Sequence, residues 1–438
     1  MKRLEKILAV TAVASVMAPA ASALQPKQYP DTLLIPERAI VVSGDQTKSG
    51  PLVAILYDTS DMHFTEPTAP RFLFLDRRGK VAFGIGGYVK GTLQYDFDGS
   101  INDGASFTTY DIPVPGNPAQ RNQFYGNANH STIFLQLVGR NEKFGYYQMY
   151  IQTNFSGNGT TGYGLKLKQA WLKLGYVTAG LANSTFVDGA AGTPVIDDQG
   201  PSGEISNKTI LVRYAPRFND HFSAAIGVEV PKASMTVNTP EGENPLVGKI
   251  NQRVPDIPIY VQYEWNGGAS HVRLSGLFRD LSYRNLVKSQ NAFHAGWAIQ
   301  LSGIIRPVKE LTLFYQGAYG AGYGAYINDL ADFGYDLVPS ATPGKMTAPR
   351  LASFELGARY NFSPNVFAAA TYSQARIMKQ GQLTSDTYRY GQYFAVSGFW
   401  DIVPDLRVGL SYIRGQRTNF DHTHGHANSM MGLLQYNF

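Results

Sequence analysis

From about Ala82 onward, apolar and polar positions alternate in segments of about ten residues, the period-2 signature of strands that set one face against an apolar surround and the other against a polar one. Sixteen segments follow this pattern, with cores at 82–96, 130–140, 144–155, 163–175, 176–186, 206–215, 221–230, 257–266, 269–279, 291–304, 310–321, 351–361, 365–377, 387–400, 405–415 and 426–438. Where the alternation is cleanest, both faces can be named. Ile257, Ile259, Val261, Tyr263 and Trp265 oppose Gln262 and Glu264; Phe354, Leu356, Ala358, Tyr360 and Phe362 oppose Glu355 and Arg359; Leu406, Val408, Leu410 and Tyr412 oppose Arg407 and Ser411. Polar residues on each inward face imply a wet interior. Short links (141–143, 216–220, 266–268, 363–365, 401–404) alternate with long ones (97–129, 187–205, 231–256, 322–350), and Gly, Asn, Asp and Pro crowd them as turn chemistry requires. No repeat of 20 to 50 residues is visible, which disfavours a propeller or solenoid.

The last segment alternates through Leu434, Tyr436 and Phe438. An unpaired amphipathic edge would recruit other chains, and closing the sheet into a barrel removes it; a terminal strand ending on Phe also resembles the assembly signal of bacterial outer-membrane barrels. At the other end, Lys2, Arg3 and Lys6 precede an apolar run at 7–16 and an Ala21-Ser22-Ala23 cleavage pattern, so residues 1–23 read as a signal peptide. Beyond it no apolar run approaches the ~20 residues of a spanning helix, so any crossing of a membrane is made by strands. The reading is an all-β chain, a 16-stranded antiparallel transmembrane β-barrel over 81–438, preceded by a leader at 24–80. That leader carries Pro26, Pro30, Pro36, Pro51, Pro67 and Pro70 and a single strand-like run at 52–57, which leaves a periplasmic extension, a small plug and a disordered segment all open. An even strand number puts both barrel ends on the periplasmic side.

Composition narrows this further. Gly (45) and Tyr (27) are abundant while mean hydropathy is slightly negative, as expected when only alternate residues meet lipid. The formal charge of +5 falls to +3 when the first six residues are removed with their three positive and one negative side chains, too small an excess to argue for nucleic acid. The absence of Cys excludes a lipidated N-terminus, disulfides and thiolate metal sites.

A family resemblance rests on Gly86-Gly87-Tyr88-Val89-Lys90, Leu167-Lys168-Gln169-Ala170-Trp171, Gly180 through Asp188, Gly200-Pro201-Ser202-Gly203 and Leu211-Val212-Arg213-Tyr214. In order and spacing these resemble the DcaP-like outer-membrane porins. The resemblance implies a passive diffusion channel in the bacterial outer membrane, trimeric, with a constricting third external loop folded into the lumen; on this chain that loop is 187–205. It departs from the family at 24–80, which lacks the heptads of a periplasmic coiled coil. Expected partners are outer-membrane lipid and lipopolysaccharide, two further copies in a homotrimer, and small hydrophilic solutes, with no cofactor.

In such a channel, function lies in pore width and lining charge. Parity places Lys90, Lys166, Lys168, Arg213, Arg273, Arg279, Arg359, Arg389 and Arg407 inward, against inward Asp96, Glu229, Glu264 and Glu355. The basic excess favours anions such as small carboxylates, because a charged wall of low dielectric concentrates counter-ions. Asp188, Asp197, Asp198 and Glu204 in the third loop would fold against that wall and set a transverse field across a slot. The alternative function is a surface receptor or adhesin barrel whose loops occlude the lumen. His422, His424 and His426 are a weak metal candidate, since three imidazoles at strand spacing share one face, although an exposed polar loop explains them equally. A barrel hydrolase would need a converging Ser, His and acid; His271 and Ser275 are about 13 Å apart at strand rise, too far to bond. No enzyme activity is expected.

Overall fold

The computed structural model describes residues 39–438 apart from 46, 47, 59–61, 67, 68, 100, 102–105, 144, 158–161 and 245. The expected signal peptide and residues 24–38 of the leader lie outside the described residues.

The alternating segments form one closed antiparallel barrel. Its strands are β1 (Val81–Asp98), β2 (in two pieces, Gln123–Asn127 and Thr132–Asn141), β3 (Gly145–Asn154), β4 (Lys166–Leu174), β5 (Val177–Asn183), β6 (Lys208–Tyr214), β7 (Phe222–Glu229), β8 (Ile257–Trp265), β9 (Ser270–Asn285), β10 (Gln290–Val308), β11 (Leu311–Ala321), β12 (Arg350–Ser363), β13 (Val366–Ile377), β14 (Tyr388–Val403), β15 (Leu406–Asn419) and β16 (His424–Asn437). Each pairs with the next, and β16 returns to β1 from Asn437 opposite Tyr88 to Asn428 opposite Asp98. Closure satisfies every strand edge internally, the condition for backbone to cross hydrocarbon.

The faces fall as the alternation dictates. Ile259, Val261 and Tyr263 of β8 are exposed on the outside while Gln262 and Glu264 are buried inside; Leu356 and Tyr360 of β12, Leu410 and Tyr412 of β15, and Leu434 and Tyr436 of β16 are likewise exposed. A girdle of bare Leu, Ile, Phe and Tyr suits lipid and not water. The short turns gather at one end. One of several two-residue turns, Gly175-Tyr176, takes a left-handed residue, Gly175 at φ 56°, to reverse β4 into β5. β9 and β10 pair well beyond the expected segments, as far as Asn285 opposite Gln290, so the connection between them is a tight hairpin.

The core sits inside the barrel rather than around it. The loop after β11 contributes Tyr323, Tyr326, Ile327, Leu330 and Tyr335 to a buried cluster with Phe186, Ile205, Leu351, Ile377 and Tyr388. A second cluster joins Phe107 and Ile112 of the first external loop and Val195 and Ile196 of the third to β13–β16. At the short-turn end the leader adds a strand, Phe72–Leu75, antiparallel to the start of β1, a strand Ile40–Ser43 parallel to that one, and a helix, Gly50–Leu56. Leu52, Val53 and Leu56 of the helix pack on Leu73, Ala82 and Val138, docking it against β1 and β2.

Candidate functional site

Residues 184–207, the third external connection, run from β5 to β6 through the barrel interior. Polar side chains of the wall hold the segment along its length. Asp188 accepts from His271 Nε2 of β9 and Ser302 Oγ of β10, both at 2.8 Å. The Thr193 amide donates to Glu355 of β12 (2.9 Å), the Gly203 amide to Ser373 Oγ of β13 (2.6 Å), and the Ile205 amide to Gln316 of β11 (2.9 Å). Asp197 accepts from the Phe107 amide (2.8 Å) and the Tyr393 hydroxyl (3.2 Å), and Asp198 takes Lys90 Nζ of β1 at 2.6 Å. Gly203 is pressed so closely on β12 and β13 that a β-carbon there would collide with the Phe354 and Gln374 carbonyls.

The acids of this segment differ in state. Burial alone would raise the Asp188 carboxyl, but Arg273, His271 and Ser302 around it hold it well below the usual carboxylate range. Burial pushes Asp197 well up, only partly offset by the amides of Gln199 and Phe107. Glu204 is also pushed well up, first by burial and then by the nearby carboxylates of Glu355 and Asp197. Burial therefore opposes the charge on two of the four acids, and Asp198 is paired with Lys90.

Two cavities flank the segment. One of about 510 Å³ opens toward the short-turn end, lined among others by Lys90, Arg306, Arg359, Arg407 and Phe64. The other, about 230 Å³, lies against β2–β6 and is bounded by His130, Gln152, Lys168 and Lys208 on the wall and by Asp198 and Glu204 on the loop. Both cavities are also lined by His63, Thr65 and Glu66 of the leader.

The basic residues placed inward by parity meet different fates. Lys90 lines the larger cavity, paired as above. Lys166 and Lys168 share a parity on β4, Lys166 opposite buried Asn154 and Lys168 on the wall of the smaller cavity, and neither forms a salt bridge among the described residues. Arg213 faces inward and touches the Asn183 carbonyl at 3.5 Å. Arg273 is buried under the loop, donating to Gln262 (2.7 Å) and the Val187 carbonyl (3.1 Å) over the Tyr260 ring. Arg359 and Arg407 line the larger cavity, Arg359 stacked on Phe367 and Arg407 paired with Asp401 at 2.6 Å. Arg279 instead is enclosed, salt-bridged to Asp256 at 3.0 Å and Asp336 at 2.7 Å with no surface left. Arg389 leaves the inward set, because an irregularity between Tyr388 and Tyr390 turns it to His422 at the outer rim. Of the acids, Glu264 pairs with Arg217, Asp96 accepts from Gln94 and Ser429, and Glu229 accepts the Thr185 amide at 2.6 Å. His426 bonds Asp98 at 2.8 Å while His422 turns to Arg389, so the three imidazoles diverge, and no metal-binding group forms among the described residues.

Sequence reasoning missed four contributors. Arg306 lies just past the expected end of its strand. Lys208 shares strand parity with outward Ile210 and Val212, yet at the loop end of β6 it swings inward to Glu66 at 2.6 Å. His63 and Glu66 belong to the leader, where no periodicity marks them.

A closed sixteen-stranded barrel with a polar lumen crossed by its third loop defines an outer-membrane channel protein. The sequence profile of the porin subfamily matches residues 85–425, and the chain belongs to that family. Comparison with curated proteins gives no match. Among solved structures the fold is similar to the outer membrane channel DcaP of Acinetobacter baumannii, at TM-score 0.70 and 15% identity, covering 82% of this chain and 98% of that one. An anion-selective porin from Comamonas acidovorans gives TM-score 0.51 at 10% identity, over 82% and 100%. The trimer form of OmpT from Vibrio cholerae gives 0.50 at 9%, also over 82% and 100%. The chain is a bacterial outer-membrane porin, and both its family and its fold are those of a channel rather than an enzyme.

Proposed function

We propose that this porin passes small hydrophilic solutes with a preference for anions, small carboxylates among them, through a slot narrowed by 184–207, and that it works as a trimer. The observation that carries the reading is the imbalance along the lumen: Lys168, Arg306 and Arg359 line the two cavities and Lys166 lies next to Lys168 on β4, all four without a salt bridge among the described residues, while burial raises the Asp197 and Glu204 carboxyls and Asp198 is paired with Lys90. Positive charge left over inside a low-dielectric wall raises the local anion concentration. The trimer rests on the exposed apolar girdle and on the trimeric form of one structural relative.

Planar-bilayer recording of the mature protein under a KCl gradient tests it. Openings in threes with a reversal potential favouring chloride are expected. A cation-favouring potential overturns the anion preference, and absence of any conductance moves the reading to a receptor barrel whose loops occlude the lumen.

A further inference from the structure

The leader enters the lumen beside the charged wall. Phe72–Leu75 is held in the sheet next to β1, the Arg71 amide bonds the Ile85 carbonyl at 3.0 Å, and the Tyr57 hydroxyl bonds the Pro70 carbonyl at 2.6 Å. From that anchorage residues 62–66 reach inward as a turn closed by the Glu66 amide on the His63 carbonyl (2.9 Å). The Thr65 carbonyl accepts from Tyr88 of β1, Phe64 lies edge-on to Phe367 and Phe399 across the barrel, and His63 abuts Gly192 and Glu204 of the loop. Burial pushes His63 down to about 4, so it stands there uncharged at neutral pH.

Glu66 is the tip of this turn. Its two carboxylate oxygens are held separately, Oε1 by Lys208 Nζ at 2.6 Å and Oε2 by Gln169 Nε2 at 3.1 Å, with Gln152 also hydrogen-bonded to it and Lys168 in the same cavity wall. Gln152 and Gln169 are 3% and 4% exposed, so the donors are fixed in the wall and are not surface groups that happen to meet an acid. The arrangement is a built receptor for one carboxylate, with a charge-assisted bond on one oxygen and an amide on the other. It lies beside the smaller cavity, and the group filling it belongs to the leader, outside the barrel wall.

We propose that Lys208, Gln169, Gln152 and Lys168 form a carboxylate-binding site of the pore, and that Glu66 occupies it as an internal stand-in which a permeating carboxylate must displace. The proposal rests on the anion-passing reading above. It assigns the leader a specific role, that of a competitor for the solute site.

The test uses propionate, which has the same chain as the glutamate side chain, with neutral propionamide as control, titrated against the chloride current of the full mature protein in a planar bilayer. Glu66→Gln is expected to lower the half-blocking propionate concentration about tenfold relative to wild type, since loss of a competing charge-assisted contact is worth about that factor, and to leave propionamide without effect. Glu66→Ala, which removes the side chain altogether, is expected to shift it the same way. In a Lys208→Gln background the Glu66 substitutions are expected to change nothing, because the contested contact is gone. An unchanged half-blocking concentration in both Glu66 variants overturns the site, and so does a shift that persists in the Lys208→Gln background, which would make Glu66 a source of field and not an occupant. A chloride-favouring reversal potential alongside either result leaves the anion reading standing; a cation-favouring wild type overturns that reading instead.

Discussion

The two sides of this lumen start from the same rule and end differently. Along β9, inward charges are consumed by the loops: Arg279 is locked between Asp256 and Asp336, Arg273 lies beneath Val187 and Asp188, and beside them Tyr323, Tyr326, Leu330 and Tyr388 pack as in a soluble core, whereas Arg306 of β10 and Arg359 of β12 stay on the larger cavity. On β4 and β6, Lys168 faces a cavity, and Lys208 pairs with Glu66 of the leader. A positive charge on an inward face is thus a stability element where loops desolvate it and a selectivity element where water remains. Alternation assigns the face; the packing above it assigns the role.

The contrast is broken most severely on the packed side. Arg279→Met leaves Asp256 and Asp336 buried without their counter-charge, and a loss of about 3–5 kcal/mol is expected, as for a buried ion pair deprived of one partner; urea unfolding followed by loss of heat-modifiable gel mobility measures it. Next, Gly203→Val drives a side chain into the Phe354 and Gln374 carbonyls, and 184–207 is expected to leave the wall. Single-channel conductance should rise with the barrel still assembled; an unchanged conductance would show that this segment does not narrow the slot.

On the open side the expected effects are on selectivity. Lys166→Gln with Lys168→Gln should move the reversal potential toward cations while thermal stability stays close to wild type, because neither lysine forms a salt bridge among the described residues. A large loss of stability in that double variant would erase the distinction between the two walls.

A subtler probe is pH. Burial raises Asp329 to about 6, against hydrogen bonds from Thr109, Tyr388 and Tyr110 that pull it back. With its pKa in the folded state above that of the free carboxylate, its contribution to loop docking is complete below the free value near 4 and is lost as pH rises through about 6. Amide hydrogen exchange at 109–112, corrected for intrinsic rates, should therefore show stronger protection at pH 5 than at pH 8. The smallest effect is expected from Arg389→Gln, because that side chain sits at the outer rim beside His422; the reversal potential should be unchanged.

Much of this protein was legible in the chain. All sixteen strands, the order of short and long connections and the identity of the third loop follow from the period-2 pattern and turn residues, since lipid outside and water inside force each strand to display its faces in sequence. The inward set was readable for the same reason and fails only where the register slips or a strand ends. The extra residue near Tyr388 turns Arg389 away, and the loop end of β6 rotates Lys208 across.

Sequence alone determined the barrel, its strand number and the two faces of its regular strands, because alternation is a local property enforced by the two solvents. Tertiary structure decided which of those interior charges remain free, where the loops pack, and that Glu66 of a leader without periodicity stands against Lys208, 142 residues away in the chain. Such contacts depend on how loops fold back into a shared space, and no local pattern records them.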